Sequence, residues 1–196
     1  MAGNILIVAQ TLLPNHKCFE ELPSLPFVRK CRGTLSYLTK LLAANILAKE
    51  PKWLQQHSDG TGIRQTQIGN NLVRIAAEAG YRTITLDNCI LSKDETSECV
   101  RDSIITSFAE AARMLTKWRE VTAIMYPGRQ DLLDLIPLAS ELTIAKLAQC
   151  GWIMTDTCNA ARKYRRLFVE SIKEVALARN MNPRDIRIFQ AGMYYV

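Results

Sequence analysis

Apolar residues recur at steps of three and four along three stretches of the chain, which is the spacing of one buried helix face. The first stretch begins near Ser24 and Pro26, which suit a helix start, and it ends at Pro51. The second follows a capping box, Ser92 to Glu95, and the third follows a capping residue, Thr157. The predicted buried faces are, in chain order, Val28, Cys31, Leu35, Leu38, Leu42 and Ile46; Val100, Ile104, Phe108, Ala111, Leu115 and Trp118; and Tyr164, Phe168, Ile172 and Val175.

Five stretches predict β-strands, because they alternate in polarity or are rich in β-branched and aromatic residues. They are residues 52–58, 63–75, 81–91, 151–156 and 186–189. A tight turn is expected at Asp59-Gly60-Thr61-Gly62. Residues 76–79 can be read as a helical turn, and residues 130–149 as a helix that Pro137 interrupts.

The order of these elements predicts an α/β fold. Three early strands suit an antiparallel meander, and the later strand–helix–strand unit suits a parallel pair. A mixed sheet flanked by helices satisfies both patterns. We therefore expect an N-terminal segment and helical arm at residues 1–50, followed by the sheet domain at residues 51–196.

Composition supports an ordinary globular domain. The chain has 196 residues, of which 48% are hydrophobic and 22% charged, so it can bury a core. It contains no apolar run of membrane-spanning length, and the stretch from Met1 to Leu13 has no Lys or Arg to form a signal peptide. The six cysteines form no zinc-binding pattern, and we expect free thiols. These features predict an intracellular protein, nuclear or cytoplasmic, without a membrane partner.

Positive charge favours a polyanionic partner. The net charge is +6, and the cations concentrate in residues 24–53 and 158–187. Four polar residues in the second segment share one helix face and are candidate nucleic-acid contacts: Asn159, Arg162, Lys163 and Arg166. Cations at a helix start oppose the helix dipole, and a bound phosphate would relieve that penalty. The alternative is an ordinary solvated face.

Two acids, Asp59 and Asp156, each follow a predicted strand. If the two strands are neighbours, the carboxylates converge at one edge of the sheet. Paired carboxylate oxygens suit Mg²⁺ or Mn²⁺, and such a site can align a nucleophile with a phosphodiester. His57 lies two residues before Asp59 and is a further candidate ligand. The alternatives are a turn residue at Asp59 and a helix cap at Asp156.

Asp59-Gly60-Thr61 after a strand, a meander, a long helix, and a strand that carries Asp156-Thr157-Cys158-Asn159 together resemble the ribonuclease H-like core of DDE-type transposases and transposon-derived proteins. The resemblance covers residues 52–189. It implies a ribonuclease H-like sheet, catalytic and metal-binding roles for Asp59 and Asp156, and a nucleic-acid partner, with DNA favoured over RNA and the choice between them left open.

The same family pattern implies a third acid on a helix after the last strand. No Asp or Glu follows Asp185 in this sequence, so we expect a domain that is incomplete at its C-terminus, with impaired cleavage or strand transfer. Asp87, on the third predicted strand, is the remaining candidate for the third ligand.

Two other classes of function stay open. A non-catalytic interaction or assembly domain would use the apolar stripes of the first two long helices, or pair through an exposed last strand. A hydrolase would use Cys158 as nucleophile and would need His16 or His57 within hydrogen-bond reach.

Overall fold

The computed structural model describes residues 25–63, 66–91, 96–156 and 158–193, and at residues 27–28, 59–63, 66–70, 87–91, 156 and 193 it describes the backbone alone. The helices and strands follow the predicted order. They are α1 (Leu25–Lys49), β1 (Trp53–Ile63), β2 (Thr66–Ala77), β3 (Gly80–Leu91), α2 (Ser97–Met125), α3 (Gln130–Asp134), β4 (Gln149–Asp156), α4 (Asn159–Ala178) and β5 (Arg187–Met193).

The five strands form one mixed sheet in the order β3-β2-β1-β4-β5. β1, β2 and β3 make an antiparallel meander, whereas β4 pairs in parallel with β1 on one side and with β5 on the other. β3 and β5 are therefore the edge strands. The expected combination of a meander with parallel strands in an α/β fold is confirmed.

Helices α2 and α4 carry the buried faces that the sequence predicts. Ile104, Phe108, Ala111 and Leu115 of α2 are buried, and Val100 and Trp118 pack partly buried against the same core. Tyr164, Phe168 and Ile172 of α4 are buried beside Val175. Both predictions are confirmed, because an amphipathic stripe this regular can be buried on one side only.

The predicted buried face of α1 is wrong at three leucines, although Ile46 of the same face packs partly buried against the core. Leu35, Leu38 and Leu42 are more than half exposed. The buried positions of this helix lie in its last turns, and they are Leu41, Ala43, Ala44, Leu47 and Ala48. These turns belong to the compact unit Lys40–Val196, which is separate from the unit Met1–Thr39. The small alanine side chains let the helix approach its neighbours closely, and a pattern search that favours leucine misses them. The predicted cap Ser24 lies outside the described residues.

The strand β1 continues through the predicted turn at residues 59–62. Asp59 pairs with Asn70 and Gly60 with Gly69, so the antiparallel ladder extends to Ile63. Glycine is a turn signal because it is permissive, and the same permissiveness lets it join an extended ladder. Likewise, Ala76 and Ala77 belong to β2 and form no helical turn.

The helix predicted for residues 130–149 is wrong in its second half. α3 ends at Asp134, and two short 3₁₀ turns follow, Ala139–Glu141 and Ile144–Leu147. Pro137 has no N–H and cannot continue the helix. Thr143 starts the second of these turns, Ile144–Leu147, and its hydroxyl oxygen accepts a hydrogen bond from the Ala145 N–H at 3.2 Å.

Two predicted helix starts also shift. α2 is capped by Thr96, which accepts from the Cys99 N–H at 3.2 Å, while the predicted capping box at residues 92–95 lies outside the described residues. α4 is capped by Cys158, and the predicted cap Thr157 lies outside the described residues as well.

β4 passes directly beneath the Ile144–Leu147 turn at Gly151. A Cβ at this position would lie 2.9 Å from the Leu147 Cα and closer still to the Leu147 carbonyl oxygen. Real side chains do not make such backbone contacts, so the strand can run here only with glycine.

We therefore predict that Gly151→Ala lowers the free energy of unfolding by about 1–3 kcal/mol, the usual cost of forcing an extra carbon into a packed region. Urea denaturation followed by circular dichroism measures it. Gly33→Ala is the control, because a Cβ there meets nothing within 4 Å. Alanine is the better helix former, so the control should raise stability by up to about 1 kcal/mol. Equal stability of Gly151→Ala and the parent chain would contradict the packing argument.

Candidate functional site

The backbone brings the two predicted acids next to each other. β1 and β4 are parallel neighbours, and their last paired residues are His57 and Met154. Asp59 and Asp156 each lie two residues further along, and paired strands run about 4.8 Å apart. Since the side chains of both acids lie outside the described residues, this proximity is a statement about the backbone. The expectation that the two strands are neighbours is confirmed.

The buried side chains of the sheet change from apolar to polar over the last few residues before Asp59 and Asp156. Gln56 and Asn71 are fully buried there, and the Gln56 side-chain amide donates to the Asn71 Oδ1 at 3.3 Å. The Tyr164 hydroxyl of α4 donates to the Gln56 Oε1 at 3.3 Å. Ser58 and Thr155 are buried on neighbouring strands. This chain of hydrogen bonds, the Gln56 network, ties β2, β1 and α4 together at the level of the candidate site.

One donor of the Gln56 network is unsatisfied. The Asn71 Nδ2 is buried and has no hydrogen-bond partner among the described residues. A buried amide without a partner costs on the order of 1–3 kcal/mol, so cores seldom keep one without a reason. The Asn71 amide therefore places a polar donor in the core near the ends of β1 and β4.

The first turns of α2 and α4 meet at the same end of the sheet. The Ser97 hydroxyl donates to the Ala160 carbonyl at 2.7 Å, which joins the two helix starts. The Ala161 N–H donates to the Cys158 Sγ at 3.4 Å and closes the cap of α4. Each helix N-terminus carries a partial positive charge, so two of them side by side create a region that favours anions.

The predicted phosphate-binding residues all lie on the exposed part of the first turns of α4. Asn159, Arg162 and Arg166 are exposed. Lys163 is different, because its ammonium pairs with the Glu98 carboxylate of α2 at 2.6 Å. The hydrogen bond from Lys163 lowers the pKa of Glu98. The pair therefore persists at neutral pH and is lost only as the pH falls through that lowered value.

Arg165, which sequence reasoning passed over, holds α4 to the sheet edge. Its guanidinium donates to the Ala191 carbonyl of β5 at 2.7 Å, and its side chain is half-buried. The four cations between residues 162 and 166 thus have different roles. Arg165 is structural, Lys163 is paired with Glu98, and Arg162 and Arg166 are exposed. No feature of the sequence alone separates these four adjacent cations.

The other candidate groups receive less support from the geometry. The Cys158 thiol is free and exposed, and its described contact is the cap of α4. Asp87 lies on β3 opposite Asn71, with β2 between it and β1. Among the residues whose side chains are described, no three His, Cys, Asp or Glu residues form a metal-binding group.

Comparison with protein-family models, with curated proteins and with solved structures finds no match to this chain. Within the described ranges, none of the helices combines the length and the apolar character that a membrane span requires.

We predict that Tyr164→Phe lowers the free energy of unfolding by about 1–2 kcal/mol, because it removes the donor to a buried amide oxygen. Thermal and urea denaturation measure the change. Tyr81→Phe is the matched control, since Tyr81 is 59% exposed and should tolerate loss of its hydroxyl. If both variants lose the same stability, the Gln56 network does not hold the strands in the way described.

Proposed function

We propose that this chain is a transposase-derived domain of the ribonuclease H-like class that binds nucleic acid, DNA rather than RNA. The observation that carries the proposal is the arrangement of β1 and β4. They are parallel neighbours in a sheet of order β3-β2-β1-β4-β5, with an acid two residues beyond the last pair on each strand. This supports the family resemblance of the sequence through topology, which a similar motif alone does not supply.

The proposed phosphate contacts are Asn159, Arg162, Lys163 and Arg166 at the start of α4. The joined N-termini of α2 and α4 add their dipoles to the charge of the two exposed arginines. A phosphate backbone would neutralise cations that otherwise oppose the dipole of α4. Lys163 is already paired with Glu98, so it would contribute less than either arginine unless DNA displaces the carboxylate.

Asp59 and Asp156 are the residues that would hold Mg²⁺ or Mn²⁺. Their donor chemistry fits, because hard divalent cations prefer carboxylate oxygens and complete their shell with water and phosphate. Such a metal would polarise a phosphodiester and activate a nucleophile. The polar and basic residues of α4 would bind the phosphate backbone of the nucleic acid and orient it across the ends of β1 and β4.

Nucleic-acid binding is the activity we place first, and phosphodiester cleavage or transfer second. A metal held by Asp59 and Asp156 alone would be bound loosely, because ligand number and support set both affinity and alignment. We therefore propose impaired cleavage alongside retained binding.

A second candidate function, protein interaction or assembly, is favoured by one observation. The apolar stripe of α2 that was expected to serve it is buried, but the end of that helix exposes a different apolar group. Val121, Ile124, Met125 and Tyr126 are between 40% and 79% exposed. Exposed apolar residues that cluster in this way are typical of contact surfaces.

The test of the first proposal is DNA binding measured by fluorescence anisotropy at several salt concentrations. We expect Arg162→Gln combined with Arg166→Gln to weaken binding by about tenfold or more and to reduce the salt dependence by about two phosphate contacts. Both residues are exposed, so the variant should keep its fold. The control is Lys173→Gln combined with Arg184→Gln. This double variant also removes two exposed positive charges, but both lie away from the first turns of α4.

The contradicting results are equally specific. Equal losses in the Arg162/Arg166 variant and in the Lys173/Arg184 control would mean that net charge, not this surface, attracts DNA. Absence of any salt-dependent binding by the parent chain would overturn the nucleic-acid proposal and leave the assembly function as the better account.

A further inference from the structure

A cavity lies at the opposite end of the sheet from the two acids. It has a volume of about 460 Å³, is open to solvent on one side, and is lined by the end of α1, the two 3₁₀ turns, the start of β4 and the residues after α4. Its polar lining consists of Lys49, Glu141, Thr143, Lys146, Gln149 and Arg179. Gln149 and Asp156 are the first and last residues of β4, so the cavity is roughly 23 Å from the acids at the rise of a strand. It is independent of the site proposed above.

The cavity has an excess of positive charge. Three cations, Lys49, Lys146 and Arg179, line it together with one carboxylate, that of Glu141. The Glu141 carboxylate accepts a hydrogen bond from the Leu138 N–H at 3.3 Å. Within the described part of the chain, every recorded salt bridge involves other cations. Glu50, next to Lys49 in the chain, also acts on Lys146, so three cations are opposed by two carboxylates and a positive excess remains.

The Lys146 ammonium is fixed in place. It donates to the Leu47 carbonyl at 3.1 Å and to the Ala48 carbonyl at 2.6 Å, so two of its three N–H donors are used. Burial lowers the pKa of Lys146, and the charge of Arg179 adds to that effect, while the carboxylates of Glu141 and Glu50 oppose it. Arg179 donates one N–H to the Ser140 carbonyl, and its guanidinium has four more. Both cations are held by backbone carbonyls and keep donors for a ligand.

The donor set suits a phosphate group. Arginine offers a planar fork that matches two phosphate oxygens, and lysine adds a compact charge. The Thr143 hydroxyl uses its oxygen as an acceptor from Ala145, so its O–H can donate into the cavity. The volume lies within the range of small-molecule sites and exceeds what one phosphate ion fills. Ala48, Pro51, Ala145 and Met181 supply an apolar wall for the remainder of a ligand.

We propose that this cavity binds a phosphorylated small molecule through its phosphate group. The remaining positive charge and the planar fork of Arg179 favour a phosphate monoester over a singly charged carboxylate. The phosphate would accept hydrogen bonds from the donors that Lys146 and Arg179 keep, and the apolar wall contacts the organic part.

The experiment is a titration of the ¹⁵N-labelled full chain, followed by amide chemical shifts, with inorganic phosphate and with ribose 5-phosphate. We expect saturable shifts at Thr143, Lys146 and Gln149, and affinity weakened by about tenfold in Arg179→Gln, the usual scale for loss of a charge-assisted contact. Lys173→Gln is the control, because it removes one cation from the same helix at an exposed position away from the cavity. Its affinity should equal that of the parent chain.

The two probes identify the source of the phosphate. Tighter binding of ribose 5-phosphate than of inorganic phosphate supports the phosphorylated small molecule. Equal binding of the two reduces the site to one for free phosphate and overturns the proposed contact with the organic part. Absence of saturable shifts with either probe, or equal weakening in Lys173→Gln, overturns the site. Amide shifts at the cavity residues that appear with a short DNA oligonucleotide but with neither phosphate probe also overturn the site, because the cavity would then be part of a nucleic-acid surface.

Discussion

The parallel pairing of β1 with β4 is the constraint on which the candidate site depends. Asp59 lies on β1 and Asp156 on β4, so this pairing decides whether the two acids are neighbours. β1 is fixed at its start by Trp53, which is fully buried, donates its indole N–H to the Leu47 carbonyl at 3.0 Å and stacks on Phe108 at 5.2 Å between ring centroids. β4 is fixed by Gly151, whose missing side chain lets the Leu147 backbone lie against it. Contacts at the starts of β1 and β4 therefore fix the register of the two strands, and that register places Asp59 and Asp156 next to each other further along.

Charge is distributed along the compact unit in a way that gives its two ends different chemistry. At the ends of β1 and β4, acids stand beside two helix N-termini and two exposed arginines, which suits a metal-bound phosphodiester. At the start of β4, lysines and an arginine surround a cavity with an apolar wall. Lys146 connects this second site to the fold, because it caps the carbonyls of α1 and lies 5.9 Å from the centre of the Trp53 ring. The same cation thus contributes to stability and to the proposed ligand site.

The sequence predicts the order of the elements and the faces of α2 and α4, because regular apolar spacing over several turns allows one buried side only. It fails at α1, where Leu41, Leu47 and three alanines face the core in place of Leu35, Leu38 and Leu42, and at Asp59-Gly60, where a turn signal continues as a strand. The neighbouring positions of Asp59 and Asp156 follow from motif and topology together. The Gln56 network could not be predicted, because nothing local distinguishes Gln56 from Gln55 until the pairing of Trp53 and Gln55 with β2 shows a register shift. The Lys163–Glu98 pair joins residues far apart in sequence, and no local pattern reports it.

The central claim is that Asp59 and Asp156 form one cation site, and a Mn²⁺ titration tests it most directly. Paramagnetic broadening of backbone amide signals would be followed on the ¹⁵N-labelled parent chain, on Asp59→Asn and on Asp185→Asn, an exposed acid in the turn before β5. The account predicts broadening centred on both strand ends, including His57 and Met154, that is lost in Asp59→Asn and kept in Asp185→Asn. Absence of localised broadening in a folded chain, or broadening that Asp59→Asn leaves unchanged, would contradict it and return the two acids to structural roles in the strand and the helix start.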